Sequence, residues 1–215
     1  MYVRENVPTF KKLSIYMGLM DHYFSPKQTA NHDVATIMEH IGLHTFTFRT
    51  DAGVFSKGQV DKGTLLLLSA IPPQGSSKVL DLGCGWGAIG IVIAKHNPHA
   101  DVHLVDVNQR AISLARSNAK KNGVSVTVHL SDGLTESAEM FDTIATNPPI
   151  RAGKDVVYRL MRESWEHLHT RGSFYAVIRT KQGAKSYQDE LERVFGSAEI
   201  VERQSGYKVF RAVRT

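Results

Sequence analysis

Lys78-Val-Leu-Asp-Leu-Gly83-Cys-Gly85-Trp-Gly87-Ala88 is the stretch that decides the fold. Lys78-Val-Leu-Asp81 reads as a short apolar strand, and the helix Ala88 to Lys95 follows a turn rich in glycine. Glycine lets the backbone turn tightly and lets a ligand approach without meeting a Cβ. The N–H groups and positive dipole end of the next helix suit a carboxylate or a phosphate. In a doubly wound sheet this turn sits where the nucleotide binds.

Outward from that turn the chain alternates strand and helix. Val102-His-Leu-Val-Asp106 is a second strand, Gln109 to Lys121 a helix ended by Asn122-Gly123, Val124 to His129 a third strand and Phe141 to Thr146 a fourth. A helix is expected from Lys154 to about His167, a fifth strand from Ser173 to Arg179, and a helix over Gln188 to Phe195. Strands Ala198 to Glu202 and Lys208 to Val213 close the chain as a hairpin about Gly206-Tyr207. Repeated strand–helix units give a parallel sheet with helices on both faces. The expected class is therefore α/β: a Rossmann-like, doubly wound, mostly parallel seven-stranded sheet with an antiparallel strand near the C-terminus.

Upstream, His44-Thr-Phe-Thr-Phe-Arg-Thr50 alternates like a strand, Asp51-Ala-Gly53 signals a turn, and Val54-Phe-Ser56 is expected to return as the partner strand. Asp61-Lys-Gly-Thr64 then leads into Leu65-Leu-Leu-Leu-Ser-Ala-Ile71, a helix with an acidic N-cap, stopped by Pro72-Pro73. The expected organisation is a disordered or non-native stretch over 1–20, a small N-terminal β-hairpin and helix packed on the core over 21–72, and the main domain over 73–215. Met17 and Met20 are alternative starts.

With 215 residues, 42% of them hydrophobic and 22% charged, the chain has the composition of a soluble globular domain with a modest extension. No apolar run reaches the roughly 18 residues that cross a bilayer, and residues 1–20 lack the pattern of a secretory leader. One cysteine, Cys84, excludes an internal disulfide, a cysteine-cluster metal site, and covalent attack on a pyrimidine by a cysteine pair. The ten histidines have no metal-ligand spacing, so no metal is expected; His96 and His99 read as loop residues. The chain therefore reads as cytoplasmic, with no membrane partner. A net charge of +5 fits a polyanionic partner, and it also fits an ordinary basic protein.

Asp106 ends the second strand about 20 residues past Gly83, the place of an acid that binds ribose hydroxyls; it equally suits the cap of the next helix. Gly83-x-Gly85-x-x-Ala88 fits the relaxed dinucleotide fingerprint of a nicotinamide dehydrogenase. Against that, Asp81 puts an acid inside the turn, where a cationic ligand is served, and Gly87 falls one position early. The pattern resembles the first motif of class I S-adenosylmethionine-dependent methyltransferases. That resemblance implies that Gly83, Gly85 and Gly87 flank the methionyl part of the cofactor, Asp106 holds its ribose, and Asp132, in Ser-Asp-Gly133, contacts the adenine amino group.

Asn147-Pro148-Pro149-Ile150 follows the fourth strand directly. Two prolines make a stiff turn whose carbonyls point outward. An exocyclic base amine is a poor nucleophile because its lone pair is delocalised into the ring. Acceptors at Asn147 and the Pro148 carbonyl orient that lone pair toward a methyl donor. The motif resembles that of the amino-methyltransferases, in which an aromatic follows the prolines. Ile150 departs from it, and Phe55 is the alternative base clamp.

Val54-Phe-Ser56, Asp61-Lys-Gly-Thr64 and Asn-Pro-Pro-Ile-Arg-Ala-Gly-Lys154 together resemble the small-subunit ribosomal RNA guanine-N2 methyltransferases and their short single-domain relatives, over about residues 22 to 213. The resemblance implies an S-adenosyl-L-methionine cofactor, ribosomal RNA or the small ribosomal subunit as partner, and Phe55, Ser56, Asp61, Gly63 and Thr64 lying over cofactor and target base. Arg151 and Lys154 are expected to clamp phosphates beside the base, with Arg159 and Arg162 sharing one helix face. The amide of a protein glutamine and a non-catalytic RNA-binding role are the rival readings. The oligomeric state is left open.

Overall fold

The computed structural model describes residues 33–135 and 137–215; the extension expected over 1–20 lies outside them. Among the described residues nine strands and five α-helices follow in chain order: β1 Ala35–Ile41, β2 His44–Thr50, α1 Lys62–Ala70, β3 Lys78–Leu82, α2 Ala88–His96, β4 Asp101–Asp106, α3 Gln109–Lys121, β5 Thr127–Leu130, β6 Phe141–Thr146, α4 Lys154–Glu166, β7 Leu168–Arg179, α5 Ala184–Phe195, β8 Glu199–Gln204 and β9 Tyr207–Val213. The main sheet has the order β5-β4-β3-β6-β7-β9-β8. β9 pairs antiparallel with both β7 and β8, and the other described pairs of this sheet are parallel. Ser205 and Gly206 turn that final hairpin with φ of 51° and 81°, the positive values that a two-residue turn needs to match strand twist.

A parallel strand with both faces covered carries apolar residues on both, and β3 does. Val79 points into a core shared with β2 and helices α1–α3, whereas Leu80 and Leu82 point into a second core closed by α4 and α5. The chain leaves β3 for β4 and β5, then returns to the other side of β3 as β6. That reversal is the topological switch point, and there the Thr146 hydroxyl donates to the Leu82 carbonyl at 2.8 Å. The turns after β3 and β6 are thereby neighbours.

The N-terminal hairpin differs from expectation. β2 pairs with the residues before it, β1, through a turn at Gly42 (φ +60°) and Leu43. Val54-Phe-Ser56 forms no strand; residues 51–60 are a loop with positive φ at Gly53, Ser56 and Gly58. The outer edge of β2 is occupied by a helix instead. Asn122 receives Thr47 N–H and donates to Thr47 C=O at 3.0 and 2.9 Å, and Asn118 does the same for Arg49 at 2.7 and 2.9 Å. Four residues of helix rise about 6 Å and two residues of strand about 6.8 Å. The two carboxamides therefore match the strand's spacing and act as one more strand. Smaller differences sit at element ends: β5 starts at Thr127 because Val124 N–H caps the end of α3, α5 starts at Ala184, and His96 is the last residue of α2. Among the described residues no helix is long and apolar enough to cross a membrane, and no histidine, cysteine and acid group has a metal-binding arrangement.

Asn118 is fully buried. Its replacement by alanine strands the Arg49 peptide and the Trp86 carbonyl, to which Asn118 also donates. Asn118→Ala is expected to lower unfolding stability by on the order of 3 kcal/mol and to speed hydrogen exchange at the Arg49 amide, measured by denaturant unfolding and NMR. Unchanged exchange there would show that the docking does not hold the hairpin.

Candidate active site

The cleft lies at the carboxyl ends of β3, β4 and β6, with a volume of about 250 Å³. Its floor is the turn after β3. Gly83 and Gly85 have φ of 73° and 55°, and a Cβ on Gly83 would meet no protein atom within 4 Å. The space such a side chain would fill is the cleft itself, so these two glycines leave bare backbone toward a ligand. Gly87 was expected beside them and is not in the wall. It caps α2 in a left-handed conformation, and its Cβ would lie 2.8 Å from Ile91 Cδ1 and 3.2 Å from Leu104 Cδ2. Gly87 serves helix–strand packing, as does Gly90, whose Cβ would lie 2.6 Å from Leu104 Cδ1.

Two acids support the floor. Asp106 lines the cleft, and its two carboxylate oxygens accept from Gly85 N–H and Asn108 N–H, each at 2.8 Å. Burial raises its pKa, against the lowering effect of those amides. Asp81, also expected at the cofactor, is fully buried behind the turn rather than in the wall. Its Oδ2 accepts from Gly90 N–H at 2.8 Å, while Oδ1 is buried with no partner among the described residues. Burial, partly offset by the Gly90 amide and reinforced by the Asp106 charge, pushes the Asp81 carboxyl up to about 7. A carboxylate left under-solvated in this way favours a cation nearby.

The far wall carries Ser131, Asp132 and Gly133. Asp132 lines the cleft, and its carboxylate is paired with Arg159 at 2.6 Å. Arg159 also reaches Glu163 at 2.7 Å, and Arg162 pairs with Glu190 at 3.1 Å. Both arginines, three apart on α4, are thus engaged in ion pairs within the fold.

The fourth side is the turn after β6. The Pro148 carbonyl accepts Ile150 N–H at 2.8 Å around Pro149 (φ −75°, ψ 73°), an inverse γ-turn followed by one 3-10 turn over Ile150–Ala152. One lone pair of that carbonyl is already used, which narrows the role expected for it. Asn147 lines both this cleft and an adjoining groove, and its Nδ2 donates to Asp61 Oδ2 at 3.2 Å and Thr64 Oγ1 at 3.0 Å. Its Oδ1 has no partner among the described residues.

The loop 51–60 roofs the junction of cleft and groove. Phe55 faces both, 37% exposed, and its carbonyl accepts the Trp86 indole N–H at 2.8 Å. Asn108 donates to Gly53 C=O at 3.0 Å and Arg110 to Ala52 C=O at 2.6 Å, so α3 holds the loop in place. The groove contains Ile150, Arg151, Arg179, Gln182 and Tyr207. Arg151 lines the groove, whereas Lys154 is exposed on α4 outside cleft and groove. Arg179 and Tyr207 were missed. Their cation–π contact at 5.3 Å depends on the β7–β9 pairing, which no local pattern announces.

The Methyltransferase small domain family matches residues 45–211. The chain belongs to that family. It is 39% identical over 198 residues to the protein YbxB of Bacillus subtilis (strain 168), covering 90% of this chain and 98% of that one. It is 35% identical over 213 residues to the ribosomal RNA small subunit methyltransferase C of Escherichia coli (strain K12), covering 97% of this chain and 60% of that one. Among solved structures, the T. thermophilus 16S rRNA N2 G1207 methyltransferase (RsmC), in complex with AdoMet and guanosine, superposes with a TM-score of 0.77 at 28% identity, over 88% of this chain and 53% of that one. The chain thus spans about half to three-fifths of these two methyltransferases, and nearly all of YbxB. The matched residues of the family reach from β2 to β9 and include the glycine turn, Asp106, Asn147 and Tyr207.

Folded-state Asp81 has a pKa well above the ordinary carboxylate value, so the native protein binds the extra proton between about pH 4 and 7. The stabilisation is full below the unfolded pKa and is lost as pH rises through 7. Ligand-free protein is expected to lose several kcal/mol of stability over that interval, and Asp81→Asn to flatten the loss, as read from urea unfolding at fixed pH values. A wild-type slope retained in the variant would assign the titration to another group.

Proposed function

We propose that the chain is an S-adenosyl-L-methionine-dependent N-methyltransferase acting on the exocyclic N2 amine of a guanine in small-subunit ribosomal RNA. The observation that carries this reading is the Asn147 carboxamide, tied down at its nitrogen and open at its oxygen, on the wall between a glycine-floored cleft and a second groove. The relative named as a 16S rRNA N2 G1207 methyltransferase, and the one named as a ribosomal RNA small subunit methyltransferase, support it.

The cofactor supplies a methyl group on a sulfonium, an electrophile that needs only an oriented lone pair. Gly83 and Gly85 let its chain approach the backbone, and Asp106 accepts a ribose hydroxyl on the lone pairs its amide partners leave. Asp132, held by Arg159, meets the adenine end. The unsatisfied Asp81 and the Asp106 charge beside it favour a cationic ligand over a neutral one. Asp106 would serve the ribose of a dinucleotide equally well; it is the open acceptor at Asn147 for which hydride transfer has no use.

The target base enters from the groove, between Phe55 and Ile150, with Arg151 and Arg179 at the mouth for adjacent phosphates. Asn147 Oδ1 accepts one amine N–H and turns the nitrogen lone pair to the methyl group. The nitrogen becomes acidic as it is alkylated, so its proton leaves to solvent without a strong base. A ribosomal RNA substrate carries a cytoplasmic location with it.

The test is transfer of radiolabelled methyl groups to small-subunit particles and to naked RNA from cells lacking this protein, followed by nucleoside analysis. Label in N2-methylguanosine is expected; label confined to another nucleoside, or to protein, contradicts the assignment. Asn147→Ala is expected to cut turnover on the order of 100-fold or more, with cofactor Kd within a few-fold of wild type. Asp106→Ala should instead weaken cofactor binding by roughly tenfold or more in calorimetry.

A further inference from the structure

Asp61 is the N-cap of α1, with its Oδ2 accepting from Gly63 N–H at 2.9 Å and Thr64 N–H at 3.3 Å. The same oxygen faces Asn147 Nδ2 at 3.2 Å, and Oδ1 accepts from the Tyr207 hydroxyl at 3.2 Å. An ionised carboxylate only accepts hydrogen bonds, whereas a carboxamide has one donor end and one acceptor end. The end of Asn147 that faces Asp61 is therefore fixed as the NH₂, and the oxygen is fixed opposite.

We infer that Asp61 is a positioning residue that sets the polarity of the Asn147 carboxamide, so that oxygen rather than nitrogen meets the substrate amine. This rests on the reading of the site as an amine-methylating centre. Turned about, the carboxamide would present N–H groups to an amine that also carries N–H groups, and no lone pair would be oriented. Thr64 adds a second acceptor for the same NH₂ at 3.0 Å. Gly63 leaves the room: its Cβ would lie 2.8 Å from both Asp61 Oδ2 and the Tyr207 ring. The Asp61-Lys-Gly-Thr64 signature thus has one physical explanation, in which aspartate caps and orients, glycine clears the space, and threonine closes the clamp. The side chain acts through Asn147 across 86 residues of sequence, from an element outside the main sheet.

A double-mutant cycle tests this, because the inference predicts a reversal of sign. Asp61→Ser keeps a good capping oxygen and removes the charge; it should lower kcat on the order of tenfold, with cofactor Kd and Tm near wild type. Asn147→Asp opposes two carboxylates, which must share a proton, so its kcat should be low at pH 8 and recover as pH falls. In the Asn147→Asp background, Asp61→Ser should raise kcat and abolish that pH dependence, since the serine hydroxyl donates to the new carboxylate. Equal loss from Asp61→Ser in both backgrounds, or no effect on the otherwise wild-type enzyme, overturns the inference. If wild type itself transfers no methyl group to RNA, the functional reading fails and the polarity is judged by NMR alone. In the ligand-free protein both Asn147 Nδ2 protons should exchange slowly with water, and rapid exchange of both overturns the placement even if a variant fails to fold.

Discussion

Strands β3 and β6 are hydrogen-bonded in parallel, with Val79 opposite Thr143 and Asp81 opposite Ala145, although β4, β5 and α3 separate them in the chain. Everything in the cleft depends on that pairing. A parallel sheet delivers its strands with their carboxyl ends together, and the reversal of chain direction about β3 leaves those two ends uncovered by a crossover helix. The glycine turn and the Asn-Pro-Pro turn are thereby set face to face. The Thr146 hydroxyl bond to Leu82 C=O closes the two strand ends against each other.

Onto this scaffold the N-terminal elements bring the parts that the sheet lacks. Asn118 and Asn122 give β2 its outer hydrogen bonds, Asn108 and Arg110 pin the loop that follows it, and Asp61 begins α1 at the wall of the site. The loop carries Phe55 to the junction of cleft and groove, while α1 carries Asp61 and Thr64 to Asn147. Capping, docking and substrate orientation are thus performed by the same few polar side chains. Which of these properties a given substitution moves is therefore read only when kcat, cofactor affinity and stability are measured separately. Charge works in the same direction. The fully buried Asp81, with one oxygen lacking a partner among the described residues, and the half-buried Asp106 beside it make the cleft favour a cation.

The main domain was legible because its signals are local. α3 begins at the capping Asn108 and ends at Asn122-Gly123, so its bounds follow from the residues themselves; β6 is closed by two prolines that cannot continue it. The hairpin was misread because Asp51-Ala-Gly53 is a stronger turn signal than Gly42-Leu43, and because β1 exposes Met38 where alternation calls for a polar residue. The order of glycines was visible but not their division of labour. Gly83 and Gly85 face space, whereas Gly87 and Gly90 face Leu104, and only packing separates the two pairs. Arg159 and Arg162 looked available because their partners, Asp132 and Glu190, are far along the chain. The contacts of Asp61 with Asn147 and Tyr207 bridge three elements and have no sequence period at all.

The central claim is that the open oxygen of Asn147 meets a guanine amine at the edge of the cofactor cleft. It is tested most directly by a crystal structure of this protein with S-adenosylhomocysteine and guanosine. The account predicts the guanine N2 within hydrogen-bonding distance of Asn147 Oδ1, the base between Phe55 and Ile150, and the thioether sulfur on the far side of N2. A base bound with another edge toward Asn147, or a carboxamide presenting its nitrogen to the base, would contradict it.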